Sequence, residues 1–372
     1  MNSPTEHEWL RRSSLAALAE LPGMGPTRLS AVLDVMAPEG AWQAIARGRR
    51  FTGLDSAGVK LQAQWRGRAA TIDLAEVDRR YTEAQVKVWS RVDPAYPVML
   101  AGDPWAPAAL FAQGEAKALA AERVALIGTR HCTREGRDIA RRFGAELAEA
   151  GVAVVSGLAL GIDGAAHAGA LEARCGAPPV AVVGSGLDVV YPRQHTRLWT
   201  DVRNSGLILS EAPLGALPEA WRFPARNRII AALSQVLVVV ESHERGGSLI
   251  TVDQAAERGV DVLAVPGSVR SPASAGSNAL LRDGCAPACT TDDILMYLSA
   301  ARRPGAAPGR LRPAPSPEDL RVLEALGPSL TSTAEMMSIT ELSLAELATA
   351  LNRLEVGGWV ENSGGWWRRV ES

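Results

Sequence analysis

The run that decides the fold is 124–167, which reads VALIGTR (124–130), REGRDIARRFGAELAEAG (134–151), VAVVSG (152–157) and LALGIDGAAH (158–167). Val124 to Ile127 is short and apolar, as in a strand buried in a parallel sheet. Ile139, Phe143 and Leu147 recur every four residues on one helix face, and Gly151 sits where a left-handed residue would end that helix. Val152 to Val155 is a second buried strand, and Gly161-Ile162-Asp163-Gly164 opens a second helix. The pattern is β-α-β-α, which packs as a parallel sheet with right-handed crossovers. Ligands of such sheets bind beyond the carboxyl ends of the strands. Gly128-Thr129-Arg130 and Ser156-Gly157 occupy two of those ends. Their glycines either make plain tight turns or let a phosphate approach the backbone. Arg130 adds a planar cation able to stack on a base or grip a phosphate. No G-x-G-x-x-G follows the first strand, which argues against a dinucleotide site.

The length of 372 residues predicts two or three domains, and 47% hydrophobic residues suffice for a sizeable core. No run of 18 apolar residues occurs, and the first residues lack the basic-then-apolar order of a secretion signal. A cytoplasmic protein with no membrane partner is expected. Cys132, Cys175, Cys285 and Cys289 form no C-x-x-C, so reduced and mostly buried thiols are expected, with no metal site. The net charge of −2 divides into +1 over 1–120, −2 over 121–300, +4 over 301–312 and −5 over 313–372. There is no global basic field, so a nucleic-acid site must be a local cluster. The cations are almost all arginine, Lys60, Lys87 and Lys117 being the lysines.

Four regions follow in order. Residues 1–80 read as a small helical domain, in which Leu15, Leu18 and Leu21 precede Pro22-Gly23-Met24-Gly25-Pro26 and a further helix. That hairpin suits either a backbone-binding helix-hairpin-helix or a simple αα-hairpin. Residues 81–300 carry the sheet. Val86 to Trp89 and Leu110-Phe111 are expected to extend one edge. Val180 to Val183, Leu207 to Leu209, Val236 to Val240 and Val262 to Val265 supply further strands, with Val236 to Val240 expected at the centre and Val262 to Val265 last. Arg226, Asn227 and Arg228 are expected at a helix start, as an anion site. Gly246-Gly247-Ser248 before a helix is another anion candidate. Glycine, serine or arginine thus ends the strands at 128–130, 156–157, 184–186, 246–248 and 266–268, and their convergence on one rim would make a pocket for a phosphate-bearing ligand. Asp163 and His167, four apart, read either as an acid–base pair or as structural capping by Asp163, so no catalytic residues are assigned. Residues 301–317 are a Pro- and Arg-rich linker. Residues 318–372 read as helices followed by a short hairpin, a winged-helix pattern. Its charge is wrong for an ordinary duplex reader, which points to protein contact or to weak or regulatory DNA contact.

The chain resembles the DNA-processing protein A family (DprA, also called Smf) over essentially its full length. The motifs that carry the resemblance are Val124–Arg130, Ser156–Asp163, Phe223–Ser234, Gly247–Thr251 and Pro266-Gly267 to Ser277-Asn278. Departures are Thr129 for the usual serine, Leu160 where an arginine is common, and Gly246 for serine. The resemblance implies an α/β fold: an extended Rossmann-like parallel sheet with an N-terminal small helical (SAM or helix-hairpin-helix-like) domain and a C-terminal winged helix. It implies a single-stranded DNA-binding recombination mediator that protects incoming ssDNA and helps load the RecA recombinase in natural transformation. The implied assembly is a homodimer through the sheet domain, with no cofactor. DNA contacts would come from Gly128, Thr129, Arg130, Ser156, Gly157, Gly161, Asp163, Arg226, Asn227, Arg228, Gly246, Gly247 and Ser248. The alternative is a nucleotide-phosphate-processing enzyme of the lysine-decarboxylase-like Rossmann group. That group's P-G-G-x-G-T-x-x-E loop is only partly matched at 245–251.

Overall fold

The computed structural model describes residues 6–173, 175–301, 317–326, 331–340, 342–356, 359–363 and 366–369. They divide into two compact units, Met1–Leu298 and Ser299–Ser372.

In the first unit five helices come first: α1 (Glu6–Ala19), α2 (Pro26–Leu33), α3 (Pro38–Ala46), α4 (Ser56–Ala69) and α5 (Leu74–Glu83). Asp55 and Asp73 cap α4 and α5 by accepting from Gly58 and Ala75 amides. Next come β1 (Lys87–Ser90), α6 (Val98–Ala101), β2 (Ala109–Gly114) and β3 (Glu122–Ile127). The β-α alternation then runs α7 (Arg134–Glu149), β4 (Val152–Ser156), α8 (Ile162–Ala170), β5 (Val180–Val183), α9 (Thr196–Ser205), β6 (Leu207–Ser210), α10 (Arg222–Leu233) and β7 (Val236–Val239). It closes with α11 (Leu249–Ala256), β8 (Asp261–Ala264), α12 (Ala275–Arg282), β9 (Ala286–Pro287) and α13 (Thr291–Ala301).

The nine strands form one sheet in the order β1-β2-β6-β5-β4-β3-β7-β8-β9. From β6 to β9 all pairings are parallel, and β1 and β2 extend one edge, as expected, in antiparallel pairing. Two expectations are corrected. β7 lies toward one side with β3 nearer the centre, and β9 follows β8. Hydrophobicity reports burial on both faces and not position in the sheet.

Alternation along the strands builds a three-layer first unit. Val124, Leu126, Val152, Val154, Val236 and Val238 pack with Phe143, Leu147 and Ala166 of α7 and α8. Ala125, Ile127, Val155, Val182, Leu237 and Val239 face Ile229, Ile230 and Leu233 of α10. The N-terminal helices join the α7–α8 layer. Leu15, Leu18, Trp65 and Tyr81 share one core with Phe111, Ala181, Val183, Ile208 and Trp199.

The second unit contains α14 (Pro317–Ala325), β10 (Thr331–Ser332), α15 (Thr333–Thr340), α16 (Leu344–Val356), β11 (Val360–Ser363) and β12 (Trp366–Arg369). Its antiparallel sheet runs β10-β12-β11. Val322, Leu323, Met336, Leu347, Leu351, Leu354, Val360 and Trp367 fill its core. This is a winged helix, the β11–β12 hairpin being its wing. The linker expected at 301–317 lies, save for its first and last residues, outside the described residues.

Cys132 and Cys285 are half-buried while Cys175 and Cys289 are exposed, so the expectation of mostly buried thiols fails. Among the described residues no helix is long and apolar enough to cross a membrane, and no cluster of potential metal ligands occurs.

Candidate nucleic-acid interface

Because β3 to β8 are parallel, their carboxyl ends open on one rim, which holds every glycine-, serine- or arginine-bearing end expected there. The connections from β3 and β7 leave toward opposite sides of the sheet, so a ligand crevice is expected between these two strands. That crevice is closed by the protein itself. Thr129 N–H donates to the Glu241 carbonyl at 2.8 Å. The Glu241 carboxylate accepts from Thr133 N–H at 2.8 Å and Thr133 Oγ1 at 2.6 Å. Thr133 caps α7, and a Cβ on Gly136 would meet the Glu241 carboxylate at 2.4 Å. A negative group therefore already fills the positive end of α7, where a nucleotide phosphate would otherwise sit.

The open part of the rim lies one step over, above β4 and β5. There Arg130, Gly157, Leu160, Gly184, Tyr191 and Phe223, with Arg226, line a pocket of about 60 Å³. Arg130 is exposed and its guanidinium lies 4.8 Å from the Phe223 ring centroid. Tyr191 meets the same ring at 5.5 Å. Gly161, at φ 81°, brings the next loop against the backbone of Thr129 and Arg130. A Cβ there would lie 2.3 Å from the Thr129 carbonyl oxygen.

Arg226 underpins this pocket. Its side chain is buried, and Nη1 donates to the carbonyls of Gly157, at 2.7 Å, and of Val182. Burial lowers its pKa to about 10, so it stays charged at neutral pH. Asp163 is buried nearby and accepts from Gly157 N–H at 3.2 Å. Burial raises its pKa, against the pull of Arg226. The cap expected of Asp163 is not formed: Gly161 is the N-cap of α8, without a side-chain bond, and Asp163 falls inside the first turn. The expected helix start at Arg226, Asn227 and Arg228 is also corrected. α10 begins at Arg222, so these residues lie farther along it. Arg228 makes a two-oxygen contact with Glu211 at 2.6 and 2.7 Å, and Asn227 is half-buried. Ser156 is buried and donates to the Leu126 carbonyl at 2.6 Å.

Of the expected contact residues, Arg130, Gly157 and Arg226 line one pocket, Thr129, Gly161 and Asp163 pack behind them, and Gly128 lies against Glu241 and Ile162. The structure turns Arg228 toward β6. Gly246, Gly247 and Ser248 sit past β7, held by a Ser248 Oγ to Ser242 Oγ bond of 2.9 Å. Among the described residues the Gly247 and Ser248 amides, just before α11, donate no hydrogen bond. The Thr129 and Gly157 amides are already paired, so neither is a free donor for a phosphate. Sequence reasoning missed Phe223 and Tyr191 as pocket residues. For Phe223 the signal was an aromatic residue three positions before Arg226; Tyr191 had none.

His167 is fully buried on α8, with no hydrogen bond to either ring nitrogen among the described residues. With Asp163 also shut away from solvent, the pair cannot work as an acid–base couple on a ligand. Burial depresses the imidazole pKa to about 3, against roughly 6.5 when unfolded. Below about pH 6.5 the unfolded chain takes up a proton that the native chain refuses. Stability is therefore lost as pH falls, by up to about 1.4 kcal/mol per unit. In denaturant titrations between pH 7 and pH 5, the wild type should lose about 2 kcal/mol more than His167→Gln. Parallel pH profiles would show that the imidazole ionises freely in the native state.

A family model described as DNA recombination-mediator protein A matches residues 87–299, and the DprA winged helix domain matches 306–365. This chain belongs to that recombination-mediator family. It is 36% identical to protein Smf of Escherichia coli, over 71% of this chain and 72% of the relative. It is 38% identical to the DNA processing protein DprA of Streptococcus pneumoniae, over 65% and 84%. The solved Streptococcus pneumoniae DprA structure superposes with a TM-score of 0.61 at 32% identity, covering 80% of this chain and 98% of that one. A Helicobacter pylori DNA processing protein A, whose structure was described for its single-stranded DNA binding mode, gives 0.52 at 28% identity, over 58% and 96%. In this family member, the motifs that carried the resemblance fall on the rim and on the helices that support it.

Proposed function

We propose that this recombination-mediator family member binds single-stranded DNA at the Arg130–Phe223 rim without cleaving it. It would protect incoming strands and hand them to a RecA recombinase during natural transformation. The observation that carries the reading is an exposed guanidinium lying against an aromatic ring beside a pocket, on a chain of net charge −2. Stacking with a few local cations suits unpaired bases, whereas a broad basic face would suit duplex backbone. Arg226 and Asp163 hold the rim, and the 246–248 loop supplies amides for phosphate. The Helicobacter pylori relative supports the choice of ligand. Family resemblance supports RecA as partner, a homodimer and a cytoplasmic site of action.

The second reading, an enzyme acting on nucleotides, is weakened by Glu241, which occupies the helix end such a phosphate needs. Gel shifts with oligo-dT and a matched duplex should give tighter binding to the single strand, falling steeply with added salt. Equal affinity for both forms, or robust release of ribose 5-phosphate from nucleotides, would overturn the proposal.

A further inference from the structure

The Arg130 pocket does not end at Phe223. It shares Val183, Gly184 and Arg226 with a narrow neighbouring pocket. That pocket shares Pro26, Trp221 and Arg222 with a cleft of about 880 Å³. This cleft runs between the Pro22–Pro26 hairpin and the 213–222 loop. The three pockets therefore adjoin one another from the strand rim to the N-terminal helices.

Trp221 stands at the junction. It is 47% exposed, and the Arg222 guanidinium lies 4.5 Å from its ring centroid. Its indole N–H donates to Glu219, which fixes the ring plane. The cleft beyond is electrically balanced. Each carboxylate on its wall has a guanidinium partner: Asp55 with Arg28 at 2.7 Å, Glu20 with Arg80 at 2.6 Å, and Glu219 with Arg222 at 3.8 Å. Balanced walls offer a phosphate no net attraction. A flat, half-open indole offers an uncharged base a face to stack on.

We infer that Trp221, backed by Arg222, is a second base-stacking position, at which the strand leaves the Arg130 pocket and turns its bases toward the N-terminal cleft. The inference rests on the proposed single-strand reading of the rim. It gives the N-terminal helices a role as the far wall of the binding path, contacting bases and not phosphates.

The test is a length series of dT oligomers from about 4 to about 16 nucleotides, binding the full chain by fluorescence anisotropy. Wild-type affinity should rise in a step once the oligomer reaches Trp221. Trp221→Ala should remove that step, a loss of about tenfold for long oligomers, and leave the shortest unaffected. Trp221→Phe should keep most of it. Arg130→Ala should weaken every length. Trp221→Ala binding that follows the wild type throughout, or that falls equally at all lengths, would overturn the inference. Failure of the wild type to bind any oligomer would instead sink the reading of the rim itself. An unchanged unfolding midpoint for Trp221→Ala would show that the fold is intact.

Discussion

Arg130→Ala is expected to weaken binding of a labelled dT oligomer by roughly 5- to 150-fold, the range of a stacking contact of about 1–3 kcal/mol. The unfolding midpoint should not move. Arg130 is exposed, and within the protein its one described contact of note is the Phe223 ring. Removing it leaves no buried group without a partner. Arg130→Lys separates charge from shape. An ammonium keeps the attraction for phosphate and loses the flat face. If base stacking dominates, lysine should recover only a small part of the loss. If charge dominates, it should recover most of it, and the salt dependence should return with it. Wild-type affinity in Arg130→Ala, measured by fluorescence anisotropy at moderate salt, would remove the centre of the proposed interface.

The second large effect is on stability. Gly169→Val should lower the thermal midpoint by on the order of 5–10 °C, about 3 kcal/mol, and loosen DNA binding with it. At Gly169 an added Cβ would lie 1.9 Å from the Arg141 carbonyl oxygen. At Gly144, on the facing helix, it would lie 2.2 Å from the Ala166 carbonyl oxygen. α7 and α8 thus touch backbone to backbone on both sides. Neither obstruction is the movable tip of a side chain, so the helices must part. Their N-termini carry Thr133 and Asp163, so the separation reaches the rim. Gly169→Ala decides the sign. Helix propensity alone would stabilise by about 1 kcal/mol, and overpacking would destabilise. A net loss is expected from calorimetry. A gain would show slack between the two helices.

Much of the architecture was legible because parallel strands announce themselves. Val124 to Ile127 and Val152 to Val155 are apolar on both faces, and each ends at a glycine or serine. The convergence of strand ends followed from the parallel topology alone. Three things were not legible. The start of α10 was placed at Arg226 although the helix already begins at Arg222, with Pro224 tolerated in its first turn. The fate of Arg226 and Arg228 depends on Gly157, Val182 and Glu211, far away in sequence. The role of Glu241 was hidden for the same reason, since Thr133 lies more than a hundred residues before it. Local pattern reports what a segment becomes. It does not report which distant atom answers a buried charge.

Glu241 also bears on the company this protein keeps. Any cell interior is crowded with free nucleotides, and a parallel sheet with an unblocked helix end would be a standing invitation to them. Here the invitation is withdrawn, because the chain supplies its own anion and the amide and hydroxyl of Thr133 hold it in place. Loose monomers have little to grip, while a long strand can gather many weak holds at once. Competition by ATP should therefore be feeble against a bound oligomer, as expected of a protein that favours a polymer over its building blocks.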